Sequence, residues 1–154
     1  MLRRCQDFFT SLALLLCLTL FPGLSPAQDG STEAQHYVAD IELHTLPEFR
    51  QLLQRADQLF LAGGLPDDGE AAVVFVLHGP VLRSLLRRNY LDNRQTVDLA
   101  ARLSALGVID VKACRAWMRS ASVDEADLQP FVETVPYSLD EINRLVRQSN
   151  YVYF

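Results

Sequence analysis

The chain has 154 residues, enough for one ordinary domain, and its 49% hydrophobic and 21% charged side chains are typical of a folded globular protein rather than a disordered one. Fourteen basic against nineteen acidic side chains give a net charge of -5, which argues against a protein that binds nucleic acid. Three cysteines are too few for a disulfide-built scaffold, and their spacing fits no zinc motif.

The amino-terminal segment up to Ala27 has the three regions of a secretory signal peptide. Arg3 and Arg4 form the positive start, an apolar core runs over residues 12–21, and Ser25 and Ala27 place small residues where a signal peptidase cleaves. The apolar core is well short of the ~20 residues that span a bilayer. We therefore expect a signal peptide over residues 1–27, a periplasmic or secreted protein, and no membrane attachment after cleavage.

Removal of the leader changes the cysteine count more than the charge. Cys5 and Cys17 are lost with it, so Cys114 is the one cysteine of the mature chain. It cannot close an internal disulfide, which leaves a buried inert thiol, a reactive thiol or an intermolecular bridge. Residues 28–35 are polar without periodicity and predict a flexible start, followed by a domain over 36–154.

The first half of that domain predicts a strand, a helix and a second strand. Apolar and polar side chains alternate over 36–43, which indicates a strand. Thr45 and Glu48 form a capping box that begins a helix, and the Gly63–Gly64 pair ends it. The valine-rich run 71–77 is typical of a strand covered on both faces.

The second half continues the alternation. A short helix is predicted over 80–87, then a helix that is capped by Asn93 and ended by Gly107, and then a strand over 108–114. A loop follows and leads to a capping box at Ser122–Glu125, and the next strand is predicted over 131–135. The last elements are a helix capped by Ser138 with Glu141 and a strand over 151–154. Five strands with helices between them predict a single doubly wound α/β domain, with a mostly parallel sheet and helices on both faces.

Two segments follow the carboxyl ends of predicted strands, where ligands gather in open α/β sheets. His78 follows one strand, and Cys114 with Arg115 ends another. If the strands are parallel, both segments lie at the same edge of the sheet. Arg115, Arg119 and the amino ends of helices would favour the thiolate, while His78 could serve as a base. The alternatives are a Cys114 that only packs and a His78 that only bonds to its loop.

Other chemistry-bearing residues have plainer interpretations. His36, Asp40 and His44 share one face of the first strand, which could suggest a metal site but fits a solvated strand face better. Trp117 and Met118 could line a pocket or a subunit contact, or pack in the core. The sequence contains no glycine-rich phosphate loop and no nucleophile elbow. We therefore expect neither a cofactor nor a metal.

The order of several segments is similar to that of the DsrE/DsrF-like family, in its exported branch. They are Val73–Pro80, Leu106–Val108, Ala113–Cys114, Glu141–Gln148 and Tyr151–Tyr153. The similarity extends over nearly the whole mature chain. It implies a flavodoxin-like fold, assembly into trimers or hexamers, and a strand-end cysteine that carries sulfur as a persulfide and passes it to a partner. Cys114 is the position that matches this cysteine.

The sequence is consistent with two functions. The first is an exported sulfur carrier or thiol-reactive protein that acts through Cys114, with His78 and Arg115 supporting the thiolate and with a sulfur donor or thiol as partner. The second is a non-catalytic, oligomeric module of the same fold that binds a small ligand or another protein, in which Cys114 only packs. Neither function decides whether the protein is an enzyme that turns over a substrate.

Overall fold

The computed structural model describes residues 35–42 and 45–154. The predicted signal peptide, most of the predicted flexible start, and Leu43 and His44 lie outside the described residues. The helices and strands in chain order are β1 (Tyr37–Ile41), α1 (Leu46–Leu61), β2 (Val73–Leu77), α2 (Tyr90–Ala105), β3 (Ile109–Cys114), α3 (Arg115–Ser120), β4 (Val132–Val135), α4 (Ser138–Gln148) and β5 (Val152–Tyr153).

The five strands form one parallel sheet in the order β4-β3-β2-β1-β5. The chain winds from β1 to β4 in one direction, and then crosses back to place β5 beside β1. Because crossovers between parallel strands are right-handed, this reversal puts α4 on the opposite face from α1, α2 and α3. The predicted doubly wound α/β fold, with helices on both faces, is confirmed.

The two faces of the sheet carry cores of different size. The larger core contains buried side chains from three helices, among them Phe49, Leu103 and Met118. Met118 therefore packs in the core, which was the plainest of its three interpretations. The smaller core lies between the sheet and α4, and its buried members are Val38, Val74, Val76, Ile142, Leu145 and Tyr151. All five residues of β2 are buried, as its valine-rich sequence predicts.

Several helix starts differ from the prediction. The segment over 80–87 forms two short 3₁₀ turns instead of one helix. Helix α2 begins at Tyr90, and Asn93 lies inside it, where its side-chain amide donates to the Asn89 carbonyl at 2.8 Å. A helix, α3, begins directly after Cys114 where the sequence predicted a loop. The boundary predicted at Asn93 was wrong because a short polar side chain can bond to several nearby backbone groups, here one at the start of the helix.

The predictions of capping boxes at Ser122–Glu125 and at Ser138 with Glu141 are also wrong. Ser122 has φ of 53°, in the left-handed region, so it does not cap a helix; Asp124 instead accepts a hydrogen bond from the Ala126 amide at 2.9 Å. Ser138 is the first residue of α4 and not its cap, which is Tyr137. The carboxylate of Glu141 is taken by ion pairs. Half of the first box is observed, since Thr45 accepts from the Glu48 amide, whereas the Glu48 carboxylate accepts from the Thr45 hydroxyl and not from its amide. Within the part of the chain that is described, no helix is long and apolar enough to cross a membrane.

Candidate functional site

Cys114 is the last residue of β3 and the residue before α3. Side chains alternate along β3, so that Ala113 packs in the larger core while Lys112 pairs with Glu141 of α4. Cys114 therefore projects from the face of the sheet that carries α4. It is 4% exposed, and its sulfur has no hydrogen-bond partner among the described residues.

His78 follows β2 directly and stays in the sheet, since its amide donates to the Ile41 carbonyl of β1 at 3.1 Å. Its imidazole Nε2 lies 2.6 Å from the Oδ1 of Asp40, a β1 residue on the same face as Val38 of the smaller core. The imidazole is about one fifth exposed, at 22%, and the Asp40 side chain is 43% exposed. His78 is thus held by a carboxylate at the solvent boundary of the sheet.

The strand register brings His78 and Cys114 to neighbouring positions. Leu77 of β2 pairs with Ala113 of β3, and the two candidate residues are the next residue on each strand. Neighbouring strands lie about 4.8 Å apart. Asp40, His78 and Cys114 therefore follow one another across β1, β2 and β3, on one face and at the carboxyl edge of the sheet. No hydrogen bond joins the thiol to the imidazole in this structure, although both residues are described.

Arg115, unlike His78 and Cys114, lies beside the carboxylate of Glu125. Its Nε lies 3.7 Å from the Oε1 of Glu125, within ion-pair range but too long for a hydrogen bond. Glu125 also accepts from the Thr134 hydroxyl at 3.0 Å. The guanidinium is therefore already beside a carboxylate, and its assistance to a Cys114 thiolate stays a prediction.

The arrangement has the parts of a nucleophile, a base and a group that orients the base. With Nε2 donating to Asp40, the neutral imidazole presents Nδ1 as its acceptor. That nitrogen is free to take a proton from a thiol brought within reach. The sequence did not predict that Asp40 bonds to His78. This contact depends on β1 lying beside β2, and the periodicity of a sequence does not reveal the order of strands in a sheet.

A second histidine–aspartate pair lies at the opposite, amino edge of the sheet. The Nε2 of His36 is 2.8 Å from Asp68, and its Nδ1 is 3.0 Å from the Ala71 carbonyl. The hydrogen bond from the Glu70 amide and that from His36 hold the pKa of Asp68 below its usual value. His36 and Asp40 thus have separate partners, and the structure does not bring them together into one site.

Comparisons with known proteins bear on the fold. No protein-family model and no curated protein matches the chain. Among solved structures, a protein of unknown function from Methanobacterium thermoautotrophicum, MTH1491, is similar, with a TM-score of 0.53 and 20% sequence identity over 78% of this chain and 97% of that one. At this identity the likeness shows the fold alone. Together with the parallel five-stranded sheet, it identifies the domain as a flavodoxin-like α/β fold.

Proposed function

We propose that this protein is an exported carrier of sulfane sulfur, with Cys114 as the acceptor thiol and a homo-oligomer as its working form. The observation that carries the proposal is that His78 and Cys114 take neighbouring positions on adjacent strands, while Asp40 of the third strand bonds to His78. A thiol beside an oriented imidazole is the arrangement that activates sulfur nucleophiles. The similarity of the strand-end segments to DsrE/DsrF-like proteins supports the same chemistry.

The proposed transfer needs no oxidant. His78 takes the proton of Cys114, and the thiolate attacks the outer sulfur of a donor persulfide. The sulfur–sulfur bond of the donor breaks, the donor leaves as a thiol after taking the proton from His78, and Cys114 becomes a persulfide. An acceptor thiolate then attacks the outer sulfur of Cys114, which restores the original thiol. The mature chain holds no second cysteine, so the acceptor is a partner protein or a small thiol.

The depth of Cys114 sets a condition on this chemistry. At 4% exposure, a donor reaches the sulfur only when side chains at the carboxyl edge of the sheet move aside. Such local opening slows reaction relative to an exposed thiol. Binding of a partner at this edge would favour the open state, and would thereby make transfer selective for that partner.

The test is loading with glutathione persulfide, followed by intact-mass spectrometry. We expect the mature wild-type chain, from residue 28 onward, to gain the mass of one sulfur atom and its Cys114→Ser variant to gain none. His78→Gln should load at least about tenfold more slowly, since a positioned base contributes factors of this size or more. His36→Gln is the matched control, because it removes an imidazole from the other histidine–aspartate pair. A wild-type mass that stays unchanged would overturn the proposal.

A second function is favoured by one observation, the near-complete burial of Cys114. Unpaired cysteines at this depth commonly serve as small apolar side chains. The protein would then be a non-catalytic module that binds a small ligand or another protein. In that case Cys114→Ala retains the biological role, and the same loading experiment yields no persulfide.

A further inference from the structure

A polar cavity of about 370 Å³ lies at the amino edge of the sheet, away from Cys114. It is bounded by residues at or just before the starts of β1, β2, β3 and β5, and by the last turns of α4. Val74 and Leu145 give it an apolar wall. We call it the amino-end cavity. Its size falls within the range of pockets that hold small molecules.

The positive groups around the amino-end cavity lie beside carboxylates, although Lys112 and Arg144 share a single one, that of Glu141. Arg144 donates two hydrogen bonds to Glu141, at 2.9 and 2.7 Å, and Lys112 donates to the same carboxylate at 2.9 Å. His36 is paired with Asp68. A ligand that enters the cavity therefore meets no cation that lacks a carboxylate among the described residues.

The groups without partners are oxygens. Asp110 and Glu70 line the amino-end cavity and form no ion pair or side-chain hydrogen bond with any described residue. Tyr151 is 8% exposed, its ring stacks on His36 with centroids 4.9 Å apart, and its hydroxyl likewise bonds to no described residue. The hydroxyl oxygen itself is not fully buried, so it is open to the cavity and to solvent.

The pKa of Tyr151 shows that carboxylates lie near its hydroxyl. Burial raises its pKa, and the negative charges of Glu70, Asp110 and Asp68 raise it further, which places the phenol oxygen in the field of the cavity's carboxylates. Burial also raises the pKa of Asp110, and the charge of Glu133 on β4 adds to this effect. Burial is the largest cause of both pKa shifts, the nearby carboxylates add to it, and the charges of Arg144 and Lys112 oppose it.

The end of α4 adds to the negative potential. The helix ends at Gln148, and Ser149 lines the amino-end cavity. The last carbonyls of a helix have no partner within it, and together they carry about half a negative charge. Cations are stabilised at such helix ends.

We propose that the amino-end cavity binds a small aliphatic amine as its ammonium ion. The carboxylate of Asp110 and the hydroxyl oxygen of Tyr151 accept hydrogen bonds from the ammonium group, while the methylene groups lie against Val74 and Leu145. A diamine places its second ammonium near Glu70. This site is at the opposite edge of the sheet from Cys114, and it is independent of the thiol chemistry proposed above.

Isothermal titration calorimetry with putrescine tests the proposal. We expect one saturable site, and at least about tenfold weaker binding by Asp110→Asn and by Tyr151→Phe, because each loses a hydrogen bond to a charged group. Tyr151→Phe keeps the ring that stacks on His36, so it serves as the variant that preserves the fold. Butanediol, a neutral analogue of similar length, should not bind.

Asp92→Asn is the control for charge, since Asp92 is an exposed carboxylate on α2 and does not line the amino-end cavity. It should bind putrescine as wild type does. Equal weakening in Asp92→Asn and Asp110→Asn would mean a non-specific attraction to an acidic protein and would overturn the proposal. Failure of putrescine to bind wild type, or binding unaffected by both cavity variants, would also overturn it.

Discussion

Glu141 joins α4 to the sheet through charges that are mostly buried. Its carboxylate accepts two hydrogen bonds from Arg144 and one from Lys112 of β3, and the side chains of Lys112 and Glu141 are only 15% and 12% exposed. The hydrogen bonds from Arg144, followed by the effect of Lys112, lower the pKa of Glu141 from 4.5 to about 2. Folding therefore favours the charged form of this residue.

This shift predicts a specific dependence of stability on pH. A carboxylate whose pKa is lower in the folded than in the unfolded chain adds stability above its unfolded pKa of 4.5, and that stability is lost as pH falls toward 2. We expect Glu141→Gln to lower the free energy of unfolding at neutral pH by on the order of 2 kcal/mol. The difference from wild type should shrink below pH 4.5.

Urea unfolding at neutral and acidic pH measures this difference. Glu42→Gln is the control, since Glu42 is exposed and forms no ion pair with a described residue. It should unfold like wild type throughout. A Glu141→Gln penalty that stays constant from neutral pH down to pH 2 would show that the ion pairs are not its origin.

The capping box predicted at Ser138 and Glu141 fails because of a contact that is distant in sequence. The position of Glu141 three residues after Ser138 predicts a capping box, but its carboxylate is used by Lys112, a residue of a different strand. A capping pattern reports only what is near in sequence. At the first predicted box, Thr45 accepts from the Glu48 amide, but the Thr45 hydroxyl donates to the Glu48 carboxylate, so only half of the box forms.

At the scale of elements, α4 begins without a side-chain cap. Its N-cap, Tyr137, has extended backbone dihedrals of φ -140° and ψ 134°, and its side chain is 54% exposed and makes no cap hydrogen bond. The first amides of α4 therefore lack the oxygen acceptor that serine, threonine or aspartate supplies at this position.

We expect Tyr137→Ser to be more stable than Tyr137→Ala by about 1 kcal/mol, because the serine hydroxyl accepts from an amide in the first turn. Both variants lose the same exposed ring, so the comparison isolates the cap oxygen. Thermal unfolding of the pair measures it. Equal melting temperatures would mean that the first turn of α4 gains nothing from a cap.

Elements were easier to predict than their boundaries. The alternation over 36–43 and the valine run over 71–77 gave β1 and β2, whose observed bounds are Tyr37–Ile41 and Val73–Leu77. The predicted loop after Cys114 is the helix α3 instead. That helix has six residues and is held by Met118 in the larger core, a contact that a short segment of sequence does not disclose.

At the scale of the whole molecule, the fold follows from the alternation of strands and helices, whereas the site depends on strand order. Parallel strands placed His78 and Cys114 at one edge, as expected from sequence. The hydrogen bond between His78 and Asp40 requires β1 to lie beside β2, and the position of Tyr151 requires β5 to lie beside β1. Both are long-range pairings, which no local pattern in the sequence specifies.

The central claim is that Asp40, His78 and Cys114 act together across three strands. The most direct measurement is the rate at which iodoacetamide alkylates Cys114 in the folded protein at neutral pH. We expect His78→Gln to slow alkylation at least about tenfold, Asp40→Asn to slow it less, and His36→Gln to leave it unchanged. Equal rates for wild type and His78→Gln, or a Cys114 inert in every variant, would contradict the account.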